Sequence, residues 1–282
     1  MTLRNYWRKT LSYVMLSLTG VCAVAAVVIL FLLLGCLVYN GWRSVDWNFF
    51  TKLPKSPGET GGGMVNAIVG SFEIILMATL AGLPVGFMAG VYLSEFGGRS
   101  FAFLVRYMAD LLNGVPSIVI GIFAYAVVVI PMHGNSALAG GFALAVMLIP
   151  ITARSTEQFM SSVPQTLREG ALALGASKWK TIATVVVPAA YRGIATGMIL
   201  GVARIAGETA PLLFTSGNND YMSNGFSQPT ASLPVMIYLR ALSPYDDWHR
   251  QAWAAGMVLL LLVLLANVAA RLVLSRGIAV QK

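Results

Sequence analysis

The chain has 282 residues, of which 57% are hydrophobic and only 11% are charged, and its mean hydropathy is +0.74. A soluble domain of this length cannot bury so much apolar surface, so the composition excludes an ordinary water-soluble protein. The net charge of +8 does not by itself indicate nucleic acid binding, because membrane proteins concentrate Lys and Arg in their cytoplasmic loops. A membrane β-barrel is also excluded, since apolar residues do not alternate at every second position.

Six stretches are long and apolar enough to cross a bilayer, which takes roughly 20 mostly apolar residues per helix. They are residues 12–39, 67–93, 109–131, 137–153, 191–214 and 252–274. The predicted fold class is therefore all-α, a polytopic membrane protein with six transmembrane helices. If the N-terminus is cytoplasmic, thirteen of the 19 Lys and Arg residues fall in cytoplasmic segments and five in outer ones. Both termini are accordingly predicted to be cytoplasmic.

The first span is predicted to be a retained anchor, because its apolar run exceeds the length of a cleavable signal peptide. A polar loop that is rich in Pro and Gly follows it, up to Gly63. We therefore divide the chain into an N-terminal anchor helix with an outer loop, 1–63, and a membrane domain, 64–282. In that domain Gly82, Gly86 and Gly90 form a stripe of small residues, which predicts close approach of another helix.

The loop between the fourth and fifth spans, residues 160–189, is amphipathic and charged. Ser161 or Ser162 is predicted to cap a short helix that includes residues 167–174. Gly175 is expected to end that helix and Ser177 to start another. Two short helices joined by a tight turn would form a compact element that projects from the membrane.

Glu169, Gly170 and Ala171, followed by Gly175 and by an apolar run that ends at Pro188, resemble the EAA loop of permease subunits of ATP-binding-cassette importers. Gly170 departs from the pattern, since the family usually has Ala there. The resemblance implies that this coupling loop, residues 160–189, docks on a separate ATPase through Glu169, Gly170, Ala171 and Gly175. The alternative is an amphipathic loop on the membrane surface with Lys178, Trp179 and Lys180 as headgroup anchors.

A second set of motifs narrows the resemblance to phosphate-importer permeases of the PstA type. The motifs are residues 207–215 preceded by Arg204, residues 114–121, and residues 154–157, and the likeness begins at about Asn66. It implies a type I, MetI-like core of five helices plus an N-terminal helix, in the bacterial inner membrane. The implied partners are a PstC-type permease, a PstB-type ATPase dimer, a PstS-type phosphate-binding protein, inorganic phosphate and membrane lipid, with no nucleic acid.

No phosphate-binding loop of the G-x-x-x-x-G-K-[ST] pattern occurs in the chain. We therefore expect a transport subunit that is not itself an enzyme and holds no cofactor. ATP and Mg²⁺ would be bound by the partner ATPase. The two histidines have no Cys or carboxylate neighbours at metal-ligand spacing, so no metal site is predicted.

Arg204 and Glu208 lie four residues apart in the fifth predicted span, where a charge is costly unless it is paired or hydrated. At about 3.6 residues per turn, Gly193, Gly197 and Gly201 share their helical face, which leaves room for a passing ion or a neighbouring helix. Arg204 is the first candidate for contact with phosphate, because a guanidinium offers paired donors to its oxygens. Glu208 would hold Arg204 or accept a hydrogen bond from protonated phosphate. A structural ion pair, within the bundle or with the partner permease, is the alternative.

Arg154, three residues before Glu157, is the third candidate for the substrate path, although a cytoplasmic Arg at a helix end needs no special role. Asp110 and Asn113 are predicted to cap the third span. Two other functions remain compatible with the coupling loop. One is a permease for another oxyanion, such as sulfate or molybdate, and the other is a non-transporting membrane scaffold or sensor subunit.

Overall fold

The computed structural model describes residues 3–56, 59 and 61–276, and within them the regular structure is helical, without strands. The termini, which are predicted to be cytoplasmic, include residues 1–2 and 277–282, which lie outside the described residues. The helices are α1 (Leu3–Gly41), α2 (Trp47–Thr51), α3 (Val65–Glu95), α4 (Arg99–Gly114), α5 (Ser117–Ala124), α6 (Ile130–Met132), α7 (Ala137–Ser161), α8 (Gln165–Ala173), α9 (Lys178–Thr181), α10 (Val187–Ala206), α11 (Ala210–Thr215), α12 (Leu233–Ala241) and α13 (Asp246–Arg276). A 3₁₀ turn at Trp42–Ser44 and π-helical turns at Tyr125–Val129 and Ile182–Val186 complete these elements.

Five helical segments are long and apolar enough to cross a membrane, and a sixth is obtained if a bent pair counts as one span. The predicted first, second, fourth and sixth spans correspond to α1, α3, α7 and α13, each longer than its apolar run. The fifth corresponds to the segment Lys178–Ala206, which joins α9 and α10 through a π-helical turn. The prediction of an all-α polytopic membrane protein is confirmed.

The third span is not the single helix that was predicted for residues 109–131. The chain bends by 102° between Ser100–Gly114 and Ser117–Met132. Val115 is extended, with ψ at 132°, and Pro116 follows it. A proline disfavours the helical conformation of the residue before it and has no N–H to donate, so the helix breaks here. Asp110 and Asn113 consequently lie inside α4 and cap no helix, contrary to the sequence expectation.

The glycine stripe of α3 is occupied by α7, as predicted. A Cβ atom on Gly86 would lie 2.6 Å from the Cβ of Thr152, and one on Gly90 would lie 2.5 Å from the Cβ of Thr156. Real Cβ atoms do not approach so closely, so only glycine permits the two helices to pack at this distance. Together α3 and α7 form the centre of the bundle.

Helix α1 stands apart from that centre. None of its most apolar stretch is buried within the chain. Near its end Gly41 lies against Trp253 and Met257 of α13. An apolar helix that is exposed along its length is suited to contact with lipid or with another membrane subunit.

Candidate translocation path and coupling loop

The coupling loop folds into two short helices with a glycine between them. Helix α8 ends at Ala173, and Gly175 follows in the left-handed region with φ at +82°. The backbone N–H of Ala176 donates to the carbonyl of Ala171 at 3.1 Å, which closes the turn in the manner of a Schellman cap. Ser177 begins α9, its hydroxyl accepting from the N–H of Lys180 at 3.4 Å. The predictions that Gly175 ends the first short helix and that Ser177 starts the second are confirmed.

The start of α8 differs from the prediction. Pro164 is its N-cap residue and provides no side-chain cap. Ser161 is the last residue of α7, and the hydroxyl of Ser162 donates to the carbonyl of Phe159 at 2.7 Å. Both serines therefore belong to the end of the preceding helix. Pro164 precedes α8 instead, because the fixed φ of a proline suits the start of a helix, where a backbone N–H would have no partner.

Helix α8 projects from the bundle, and none of its residues is buried. Leu174, at its end, is 91% exposed. Glu169 and Gly170 are also exposed, and Ala171 is half-buried. Within the described residues Glu169 has no side-chain hydrogen bond or ion pair. The predicted coupling residues thus lie on an open surface that contains apolar side chains.

Arg168 ties this projecting element to the membrane helices. Its guanidinium lies 2.9 Å from the carboxylate of Glu95 at the end of α3. It also donates to the carbonyls of Met160 at 2.7 Å and Val163 at 2.6 Å, where α7 ends. A charge-assisted arrangement of this kind is stronger than neutral hydrogen bonds. These contacts therefore join α8 to the ends of both α3 and α7.

The residues after the glycine turn contact the same end of α3. The ammonium of Lys178 donates to the carbonyl of Glu95 at 2.5 Å and lies 4.2 Å from the centre of the Phe96 ring. The ring of Trp179 lies 5.2 Å from that of Phe96. Two of the three residues considered as headgroup anchors therefore hold the loop against the protein. This geometry favours a coupling element over a loop that rests on the membrane surface.

Arg154 is the centre of a group of four charges that joins α4 to α7. Its guanidinium lies 2.9 Å from the carboxylate of Asp110 and 2.8 Å from that of Glu157. Arg106 binds the other oxygen of Glu157, whose side chain is 9% exposed. The structure therefore gives Arg154 a structural role in holding the bent third span. Its contact with substrate stays a prediction.

Arg204 and Glu208 do not share one continuous helix, contrary to the sequence expectation. Helix α10 ends at Ala206, so Arg204 lies in its last turn and Glu208 lies beyond it. Gly207 ends the helix, and α11 starts only at Ala210, with Pro211 in its first turn. Arg204 is exposed and Glu208 is half-buried, and among the described residues they form no ion pair with each other. The two charges thus lie at a break in the fifth membrane segment.

The glycines before Arg204 are covered by α7. A Cβ on Gly193 would lie 2.1 Å from the Phe159 ring, and one on Gly201 would lie 3.0 Å from Leu148. Of the two sequence interpretations, the neighbouring helix is therefore the one that the structure supports for this stripe. Space for an ion has to be sought on the exposed side of α10, where Arg204 lies.

Sequence reasoning missed Glu95 and Arg106. Glu95 pairs with a residue 73 positions later, and Arg106 with one 51 positions later. A pattern of neighbouring residues cannot indicate a pairing between such distant positions. The sequence showed only that both residues are charged and lie beside predicted spans, where a partner of opposite charge lowers the cost of burial.

Comparisons with known proteins agree with this architecture. Residues 82–277 match the family described as binding-protein-dependent transport system inner membrane component. The chain is 44% identical to the phosphate transport system permease protein PstA of Haemophilus influenzae, over 96% of each chain. It is 42% identical to the protein of the same name from Yersinia pestis, over 97% of this chain and 93% of the relative.

Among solved structures, the fold is similar to a chain of the MetNI methionine ABC transporter in an inward-facing form. The TM-score is 0.62 at 18% sequence identity, and the match covers 76% of this chain and 96% of the other. This likeness supports the MetI-like fold that the sequence predicted. The chain belongs to the binding-protein-dependent transport system inner membrane components and, within them, to the PstA-type permeases.

Proposed function

We propose that this chain is the permease subunit of an ATP-driven importer of inorganic phosphate. The observation that carries the proposal is the 44% identity, over nearly the whole chain, to a phosphate transport system permease. The geometry of the coupling loop agrees with this role, since an exposed helix is bonded through Arg168 to the ends of two membrane helices. The chain contributes to the translocation path and couples transport to the hydrolysis of ATP by a separate ATPase subunit.

Four kinds of partner follow from this proposal. A second permease of the PstC type completes the path, and a PstB-type ATPase dimer binds ATP and Mg²⁺ and receives the coupling loop. A PstS-type binding protein delivers phosphate on the opposite side. The exposed apolar surfaces of the chain would contact the second permease and lipid. The match to inner membrane components of transport systems supports a bacterial inner membrane location. The excess of cations in the predicted cytoplasmic segments supports an orientation with both termini in the cytoplasm.

Arg204, Glu208 and Arg154 are the proposed path residues. Arg204 is exposed at the break after α10, and a charge within the bilayer costs several kcal/mol unless it is paired or hydrated. It therefore faces either a water-filled path or a carboxylate of the second permease. Its guanidinium presents two parallel donors to phosphate oxygens. Glu208, beside it, positions Arg204 or accepts from the hydroxyl of protonated phosphate, and Arg154 acts nearer the coupling loop.

The test is uptake of radioactive phosphate by the purified complex in proteoliposomes that contain the binding protein and internal ATP. We expect ATP-dependent accumulation that excess unlabelled phosphate abolishes and excess sulfate or molybdate does not. Competition by sulfate or molybdate would instead assign another oxyanion. If the complex contains no ATPase, or its hydrolysis does not respond to substrate, the chain is a scaffold or sensor subunit.

A further inference from the structure

An apolar groove lies between α3, α10 and α13. Its volume is about 670 Å³, and its lining extends from Ile68 to Leu83 on α3 and from Leu259 to Ala270 on α13. At a rise of about 1.5 Å per residue, these stretches are about 22 and 17 Å long, more than half of the roughly 30 Å hydrocarbon core of a bilayer. The groove therefore follows the helices through much of the membrane.

The described residues that line the groove carry no charge. Two of them are polar, and each is hydrogen-bonded to the backbone. The hydroxyl of Ser71 accepts from the N–H of Leu233 at 2.7 Å, and the side-chain N–H₂ of Asn267 donates to the carbonyl of Val263 at 2.9 Å. The other lining side chains are aliphatic, Met or Phe. Such a lining suits a hydrocarbon occupant.

The groove opens on the face of α10 that is turned away from Arg204. Phe72 and Leu262, which line the groove, are 67% and 44% exposed. On α10, Val202 and Ala206 line the groove, and Arg204 is two residues from each, so its side chain leaves the helix about 160° away from theirs. If Arg204 faces the path, as the proposed function holds, the groove faces the surrounding bilayer.

The groove is too narrow for another transmembrane helix. Dividing its volume by its length gives a mean cross-section of about 30–40 Å². A helix with its side chains is about 10–12 Å wide, which corresponds to a cross-section of roughly 80–110 Å². An alkyl chain is far thinner than a helix and fits such a slot. Because protein surrounds the groove on three sides, an alkyl chain in it makes more van der Waals contacts than lipid against a convex surface does.

Arg271 supplies a positive charge at one end of the groove. It follows Ala270, the last lining residue of α13, and comes four and eight residues after Asn267 and Val263, which places it on the same face of the helix. The arginine is exposed, and within the described residues no carboxylate pairs with it. The sequence predicts this end of α13 to be cytoplasmic. An anionic lipid headgroup there would neutralise the charge of Arg271.

We propose that the groove binds one phospholipid with an anionic headgroup, whose acyl chain lies between α3, α10 and α13 and whose phosphate lies beside Arg271. The lipid packs behind α10, the helix that carries Arg204, and so supports the wall of the path from outside. This choice of occupant rests on the proposed function, because it takes the path to lie on the Arg204 side of α10.

The experiment uses the full-length chain, purified in detergent with the subunits that accompany it and washed until its phospholipid content is constant. Phosphatidylglycerol is then added back, and its binding is followed as a rise in the midpoint of thermal unfolding with the logarithm of lipid concentration. Ala266→Phe places a larger side chain in the groove, so it should lower the retained phospholipid and weaken rebinding at least about tenfold. The matched control is Ala269→Phe, the same change at an exposed alanine of α13 outside the lining, which should bind lipid as the wild type does.

Arg271→Gln tests the headgroup. The wild type should prefer phosphatidylglycerol to zwitterionic phosphatidylcholine with the same acyl chains. Arg271→Gln should lower this preference about fivefold, which is the contribution of one basic residue near an anionic membrane surface. The control is Arg8→Gln, at an exposed arginine of α1, which should leave the preference unchanged. Neither measurement requires phosphate or ATP, so failure of the lipid site is distinguishable from failure of phosphate uptake.

Three results would overturn the proposal. The first is equal retention and rebinding of phospholipid in Ala266→Phe and the wild type. The second is loss of the second permease from the Ala266→Phe complex but not from the Ala269→Phe complex, which would make a helix of that subunit the occupant. The third is an unchanged preference in Arg271→Gln.

The wild type decides if Ala266→Phe cannot be produced. Phosphatidylglycerol with a photoactivatable acyl chain should label residues 259–270 of the washed complex, because these residues line the groove. Labelling confined to helices other than α3, α10 and α13 would contradict the site.

Discussion

The guanidinium of Arg168 lies 2.9 Å from the carboxylate of Glu95, so the coupling loop is bonded to the end of a membrane helix 73 residues earlier. The side chains are 14% and 8% exposed, respectively, so water screens the pair only weakly. Removing one partner from such a pair is more damaging than removing a surface ion pair, because the other charge remains shielded and unpaired. This contact is therefore a strong mechanical link between the proposed ATPase site and the bundle.

Glu95→Gln should uncouple the transporter. The amide keeps the size of the side chain but removes the charge that holds Arg168, so α8 can move without moving α3. We expect the phosphate transported per ATP hydrolysed to fall roughly tenfold, which corresponds to a loss of about 1.4 kcal/mol. The measurement is uptake and hydrolysis on one preparation of proteoliposomes, with Glu59→Gln as the control. A double variant with Arg168→Met should be no worse than Glu95→Gln alone, and additive losses would argue against a shared role.

Gly175 permits a direct test of the turn. A Cβ there would meet no atom within 4 Å, but φ is +82°, so a substitution costs backbone strain without a clash. Gly175→Ala should cost roughly 1–2 kcal/mol in the loop and lower co-purification of the ATPase, while Gly175→Asn should be milder. The matched control is Gly225→Ala in the outer segment, where space is also open and φ is not in the left-handed region. Equal co-purification of the ATPase with Gly175→Ala and Gly225→Ala would contradict this role.

The sequence was sufficient to predict the spans, the glycine contacts of α3 and the two helices of the coupling loop, because hydropathy, small-residue spacing and capping are local. It did not predict the 102° bend at Gly114–Pro116. Hydropathy is averaged over windows of about 19 residues and stays high across a break of two residues. The same averaging placed Glu208 inside a helix that ends at Ala206. The charge group around Arg154 joins distant segments, so no local pattern could reveal it.

Gly90→Ala should weaken the packing of α3 on α7. Its Cβ would lie 2.5 Å from the Cβ of Thr156 and 2.6 Å from the carbonyl oxygen of Ala153, so the helices must separate. Forcing extra atoms into a packed interface typically costs about 1–3 kcal/mol. The thermal unfolding midpoint of the purified chain should fall accordingly. Gly20→Ala, in α1, meets no atom within 4 Å and should leave the midpoint unchanged. A similar fall for both variants would show that helix packing is not the cause.

Arg204 is the residue on which the proposed path depends most. It lies in the last turn of α10, exposed, and within the described residues its guanidinium has no carboxylate partner. Arg204→Gln keeps hydrogen-bonding capacity and removes the charge, so phosphate uptake should fall at least about tenfold while the complex remains assembled. Arg204→Lys keeps the charge but loses the paired donors, and an intermediate rate is expected.

The control for Arg204 is Arg192→Gln, the same change at an exposed arginine earlier in α10. It should transport within about twofold of the wild type. If the Arg204→Gln variant also transports phosphate within about twofold of the wild type, Arg204 is not part of the path. Glu208→Gln separates the two roles considered for the carboxylate. If Glu208 only positions Arg204, the double variant with Arg204→Gln should lose no more uptake than Arg204→Gln alone, because a residue that acts through another has no effect once that other is gone.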